Sequence, residues 1–223
     1  MMTNLFSSFD PSTNLKSLNW LSMLLIFMLI PSIYWFIPSR MSIMWLKMVE
    51  NLNKEIKVIT PEKEMSGLSL MMISMFLFII VSNFMGLFPY IFTSTSHIVV
   101  SLTLALPLWV SLMIFGWTIK TLNMFAHMVP QGTPTILMPF MVCIETVSNI
   151  IRPVTLAIRL SANMIAGHLL MTLLGSVGSL IPPHLVILLI IVQNLLLILE
   201  MSVSMIQAYV FMILTTLYSK EVN

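Results

Sequence analysis

Between residues 65 and 219 only five side chains carry a formal charge: Lys120, Glu145, Arg152, Arg159 and Glu200. The last four share two long apolar stretches with amides and one histidine. On a helix turning about 100° per residue, Arg152 lies about 20° from Arg159, Glu145 and Asn163 about 40°, and Asn149 about 80°. These five form one stripe, and His168 points about 180° away from Arg159. In the second stretch Gln193, Glu200, Ser204 and Gln207 fall within an arc of about 60°. A guanidinium never gives up its proton, whereas carboxyl and imidazole groups titrate. Such a set in an apolar setting marks an ion pathway, a proton relay or paired internal charges. The plainest alternative is that Glu145 or Glu200 neutralises Arg152 or Arg159. The amides and His168 weigh against it, because a simple ion pair does not require them.

These groups sit in a chain of 223 residues that is 58% hydrophobic and only 8% charged. A soluble domain carries about 25% charged residues, so a soluble enzyme is disfavoured. Disorder is excluded by the amount of apolar surface. A net charge of +2 gives no electrostatic footprint for nucleic acid. The single cysteine, Cys143, rules out an internal disulfide framework and a cysteine zinc site. What remains is an integral membrane protein. Its spans are helical, because the apolar runs are long and unbroken rather than alternating.

The expected fold is all-α: about five membrane helices plus one amphipathic surface helix, in a single polytopic domain. Residues 18–37 read as a first span, with Pro31 inside it and Trp20, Tyr34 and Trp35 near its ends. This stretch is too long for a signal-peptide core and is followed by further spans, so it reads as a mature helix. Residues 41–59 place Met41, Met44, Trp45, Met48, Leu52, Ile56 and Ile59 on one face, predicting a helix on the membrane surface; a solvated loop packed on other chains is the alternative. Residues 67–88 and 98–119 are the next spans, the latter containing Pro107. Residues 135–180 and 185–218 follow, separated by Pro182-Pro183. From Pro139 onward the first of these would extend about 63 Å, against a hydrocarbon layer about 30 Å thick. Pro153 could kink it, but no loop-forming residues surround it, so two long, strongly tilted helices forming a hairpin are expected. The Lys-rich segment after Arg40, with Lys120, is assigned to the matrix or cytoplasmic side.

Several runs resemble a known family. Val129-Pro130-Gln131-Gly132-Thr133-Pro134 is followed by Leu137-Met138-Pro139-Phe140-Met141, Ile144-Glu145, Ile151-Arg152-Pro153 and Thr155-Leu156. Then comes Arg159-Leu160-Ser161-Ala162-Asn163-Met164-Ile165-Ala166-Gly167-His168. Together with Glu200 and Ile206-Gln207-Ala208-Tyr209-Val210-Phe211, these resemble the a subunits of F-type ATP synthases in their mitochondrial form. The opening Phe9-Asp10-Pro11-Ser12 is similar to the animal mitochondrial version. The resemblance implies a stationary proton-conducting subunit beside a rotating ring of c subunits. It implies that Arg159 is the essential arginine facing that ring, with Asn163 and Gln207 as polar neighbours. Glu145 would belong to the matrix half-channel, and His168 with Glu200 to the half-channel from the intermembrane space. Ser204, Arg152, Asn149 and Gln193 are candidate supporting groups. Implied partners are the c ring, peripheral-stalk and other membrane-sector subunits, lipid and translocated protons, with no nucleic acid. The implied location is the mitochondrial inner membrane, N-terminus in the intermembrane space and C-terminus in the matrix.

The physics of such a device can be rebuilt from its parts. A carboxyl group carried through lipid must be protonated, since an unpaired charge there is costly. It exchanges its proton only at a polar patch on a neighbour. Two offset half-channels separated by a fixed cation prevent leak, and arginine suits that post because it does not become a proton carrier. A secondary transporter is the rival reading, but repeated halves and interrupted helices are not evident. A membrane scaffold is a third, and it would not need Arg159, Asn163 and His168 so placed. His97, His127 and His184 read as interfacial groups rather than metal ligands, Lys120 as a snorkelling helix end, and Cys143 as a lipid- or helix-facing thiol. No cofactor or metal is expected. No nucleotide-binding glycine loop is present, so nucleotide chemistry is not expected on this chain.

Overall fold

The computed structural model describes residues 5–13, 16–31, 36–60, 67–129, 134–178 and 182–222. Tyr34, Trp35, most of the breaker run at 130–133 and the acidic and basic residues at 62–64 lie outside them. The described residues form seven α-helices in chain order: α1 (Leu25–Leu29), α2 (Arg40–Ile59), α3 (Leu68–Gly86), α4 (Ile98–Ile119), α5 (Thr121–Met128), α6 (Met138–Val177) and α7 (Val186–Val222). The described residues form no strand, as expected where every backbone group must be satisfied within its own segment.

Among the described residues, four helices are long and apolar enough to cross a membrane: α3, α4, α6 and α7. The first expected span is shorter here. A 3-10 helix, Leu18–Leu24, runs into α1 and gives one apolar stretch, Leu18–Leu29. At Ile30 the backbone turns extended, just before Pro31, whose ring disfavours a helical residue ahead of it.

Helix α6 is unbroken for 40 residues, about 60 Å at 1.5 Å per residue. Pro153 sits inside it without ending it. A proline has no N–H to give, so the carbonyl of Asn149 loses its ladder partner. Helix α7 is similarly continuous over 37 residues. The two are joined around Pro182, by a 3-10 turn at Pro183–Leu185.

The core is built where four helices meet. Helix α4 packs along α6, α3 along α7, and α6 along α7. Met72, Phe76 and Ile79 of α3, Leu108 of α4, Leu156 and Leu160 of α6, and Phe211 and Met212 of α7 are all buried there. Ala157 and Ala208 are fully buried, and their small side chains let the helices approach closely.

Helix α2 starts at Ser39, whose Oγ accepts from the Ser42 N–H at 3.4 Å. Its first half exposes the apolar Met41 and Met44. Its second half inserts Leu52 and Ile56 into the core against α3 and α7. Tyr209 Oη of α7 donates to Glu55 Oε2 at 3.1 Å, tying the helix to the bundle. The apolar stripe therefore serves two neighbours: the core along its second half and an uncovered surface along its first.

Glycine 67 opens α3 at φ 114°, in the left-handed region that favours glycine. At the other end, Gly86 faces the Thr93 side chain. A Cβ there would stand 2.9 Å from Thr93 Cγ2 and 3.6 Å from Met164 Cε of α6. Helix α3, the connection to α4 and the middle of α6 thus meet at close range.

Candidate functional site

The polar residues of α6 divide into three groups along its length. The first surrounds a cavity of about 240 Å³. Glu145, Asn149 and Arg152 of α6 line it, with His127 of α5; Met113, Met124 and Met128 supply its apolar wall. Arg152 and Glu145 are two helical turns apart, with their charged ends 3.7 Å from each other. Both side chains are about one-third exposed, so solvent screens the pair. The Arg152 guanidinium also lies over the Tyr218 ring of α7, 5.3 Å from its centroid. Among the described residues, the alternative of an internal ion pair is therefore realised for Arg152 and Glu145 and not for Arg159.

The second group is central. Arg159 and Asn163 are exposed, on the side of α6 turned away from the bundle. Among the described residues no acid pairs with Arg159, although Leu156 and Leu160 on either side of it are buried. Gln207 of α7 is buried, and its Nε2 donates to the Arg159 carbonyl oxygen at 3.0 Å. Gln207 thus contacts the backbone of Arg159, fixing the two helices at this level and leaving the guanidinium outward. Ser204, also buried, donates to the Met201 carbonyl of its own helix at 2.7 Å.

The third group lies nine residues beyond Arg159, about 14 Å along the axis. His168 Nε2 and Glu200 Oε1 of α7 are 3.8 Å apart. This is ion-pair distance when the imidazole is protonated, but longer than a hydrogen bond. Both atoms are buried and have no hydrogen-bond partner among the described residues. Gly167 makes room for them: a Cβ there would overlap the Glu200 carboxylate, 2.7 Å from its Cδ. Gln193, half-buried, lies seven residues before Glu200 on the way to the hairpin turn. The edge of the Phe9 ring meets the imidazole at an interplanar angle of 83°.

The helical arithmetic put Arg152 and Arg159 on one stripe, and the structure gives them different surroundings. Tyr218 and the α5 cavity cover the Arg152 end of the stripe. No such neighbour among the described residues covers Arg159, which is exposed. The α7 stripe points inward as a unit at Glu200, Ser204 and Gln207.

Several further polar groups lie outside the two stripes. Asn83 of α3 is fully buried, and neither its amide nitrogen nor its oxygen has a hydrogen-bond partner among the described residues. It is the one amide in an otherwise apolar span. That isolation was a readable signal, since a polar side chain within a membrane helix is expensive. The connection before α4 adds four buried hydroxyl residues, Thr93, Ser94, Thr95 and Ser96. His127, read as interfacial, lines the Glu145 cavity. Tyr218 and Gly167 gave no separate signal, because their roles depend on partners far away in the chain.

Two further faces are uncovered. Of the most apolar stretch of α7 only 6% is buried, and of α6 only 17%. Such faces suit lipid or a neighbouring helical subunit. Cys143 is exposed and free.

Comparison with known proteins agrees with this architecture. A family described as "ATP synthase A chain" matches residues 17–220. ATP synthase subunit a of Locusta migratoria is 59% identical over 224 residues, with all of both chains covered. The proteins of the same name from Drosophila melanogaster and Aedes aegypti are 60% and 58% identical, again across the full length of both chains. Matched end to end by these relatives, this helical membrane chain belongs to the ATP synthase A chain family.

Proposed function

We propose that this chain is the stationary proton-conducting subunit of an F-type ATP synthase in the mitochondrial inner membrane, delivering protons to and from carboxyl groups on a rotating ring of c subunits. The observation that carries this reading is Arg159: exposed, without an acid partner among the described residues, and between two titratable sites on one continuous helix. Glu145 is about 21 Å from it in one direction and His168 about 14 Å in the other, by helical rise. The uncovered face of α6 and α7 around Arg159 and Asn163 is where the ring would run.

In this reading His168 and Glu200 receive protons from the intermembrane space. Their gap of 3.8 Å closes with a small rotation or one bridging water. A ring carboxylate arriving at this side takes a proton, becomes neutral and moves into lipid, where a charged carboxylate would be strongly disfavoured. On completing the turn it meets the polar patch leading to the cavity of Glu145, Asn149 and Arg152, and releases its proton toward the matrix. Arg159 blocks a direct hop between the two sites, since its guanidinium stays protonated. It also attracts each deprotonated carboxylate, so the ring advances one exchange at a time. Each proton carries about 2.3 kcal/mol per 100 mV. The positive residues of α2, together with Lys120, support assigning the Glu145 end to the matrix. Nucleotide chemistry then belongs to other subunits of the complex.

The test is Arg159→Ala in the whole complex, reconstituted in vesicles with an imposed proton gradient. ATP synthesis should vanish while the complex still assembles. Normal coupled synthesis in that variant would falsify the role.

A further inference from the structure

We propose that Phe9 and His97 are positioning residues for His168, so that the segment ahead of the first apolar helix forms part of the proton-uptake site; this rests on the reading of His168 given above. The imidazole needs an external support. Its Nε2 is too far from Glu200 Oε1 for a hydrogen bond, and neither atom has another partner among the described residues. The pair does not lock itself, so ring orientation depends on packing.

Phe9 supplies that packing. It ends a 3-10 helix, Leu5–Phe9, that lies against α6. Its ring stands edge-on to His168 with centroids 6.3 Å apart, within the range of a favourable T-shaped pair. The segment bearing Phe9 has little core of its own, with no buried residue in the 3-10 helix. Two side chains hold it instead. His97 Nε2–H donates to the Phe9 carbonyl oxygen at 3.1 Å, and Asn19 Nδ2 donates to the next carbonyl, that of Asp10, at 3.3 Å. His97 itself packs in a three-ring cluster with Trp20 and Phe92, whose centroids are 5.2 and 5.3 Å from its own and 5.6 Å from each other. A chain of contacts therefore runs from the start of α4, through the Phe9 backbone and ring, to the imidazole facing Glu200. Each link is a side chain placed against one specific atom or ring, so loss of either Phe9 or His97 releases His168.

The experiment measures proton uptake by the whole complex reconstituted in vesicles, with assembly checked on the same material. Phe9→Ala is expected to slow uptake about tenfold, the rate equivalent of one aromatic pair. Phe9→Tyr, which keeps the ring edge, is expected to restore most of the rate. His97→Ala should slow uptake severalfold, and His97→Gln, which keeps an N–H donor, should recover it. In a His168→Gln background Phe9→Ala should add no further loss, because two residues acting through one group are not additive. Wild-type rates in both Phe9→Ala and His97→Ala, or a fully additive loss in the His168→Gln background, overturn the proposal. If Phe9→Ala fails to assemble, the two His97 variants decide the matter. His168→Gln alone serves as the control: a wild-type rate there removes the role of His168 itself, whereas a slow His168→Gln beside a fast Phe9→Ala removes only the positioning role.

Discussion

The two ends of α6 handle charge in opposite ways. At the Glu145 end an acid and a base already sit side by side on one helix, about one-third exposed, at the edge of an open cavity. At the His168 end an acid from α7 and an imidazole from α6 are brought together in a tightly closed space that only a glycine at 167 permits. The first arrangement is local in sequence and tolerant of water. The second is made entirely by packing and leaves both polar atoms buried without partners among the described residues. A group beside a cavity can exchange protons with water directly, so its exact position matters less. A buried pair has to be delivered to within about one hydrogen-bond length, so its supports matter more.

That contrast predicts an order of effects. The largest after Arg159 is Gly167→Leu, which would drive a branched side chain into the Glu200 carboxylate. Proton uptake is expected to fall by roughly 10²-fold or more, the size of a lost proton-transfer group. Vesicle acidification driven by ATP checks it, and a rate near that of the parent would mean the close contact has no bearing on transfer. Next comes Glu200→Gln, which keeps shape and removes titration. Uptake should slow by roughly 10²-fold with the complex intact, and unchanged flux would take Glu200 out of the relay. Glu145→Gln should cost less, about tenfold or under, because the neighbouring cavity offers water as a substitute carrier. If it proved more damaging than Glu200→Gln, the proposed difference between the ends would be reversed. The smallest effect is expected for Arg152→Gln. Its screened pair with Glu145 contributes on the order of 0–1 kcal/mol, so thermal stability should drop slightly and proton flux should change little. A collapse of coupling in that variant would show Arg152 sharing the task given to Arg159.

The amphipathic face of α2 was visible as a repeat of apolar residues, and the helix does run from Arg40 to Ile59. Its attachment was not visible. Leu52 and Ile56 enter the core while Met41 and Met44 stay outside, although all four obey the same spacing. Spacing defines a face but not what lies opposite it. The same limit applied to Asn83, whose polarity stood out in an apolar helix while its complete burial depended on how α3 packs. Phe9 shows the limit most clearly. The run Phe9-Asp10-Pro11-Ser12 carries a family likeness but no hint of a contact, and the Phe9 ring meets a residue 159 positions away.

The sequence by itself determined the class of the protein and the rotation of its polar groups about each helix. Hydrophobicity and helical periodicity are properties of consecutive residues, and a membrane admits few other solutions. Only the tertiary structure decided which arginine has an acid beside it among the described residues and which does not. Arg152 and Arg159 differ by about 20° on the helix, less than the arc one side chain covers, so angle alone cannot separate them. The neighbours separate them: Tyr218 and the cavity cover the first, and the second faces outward from the bundle. Contacts of that kind depend on how whole helices pack side by side, which is a sum over many distant residues rather than a pattern in any one segment.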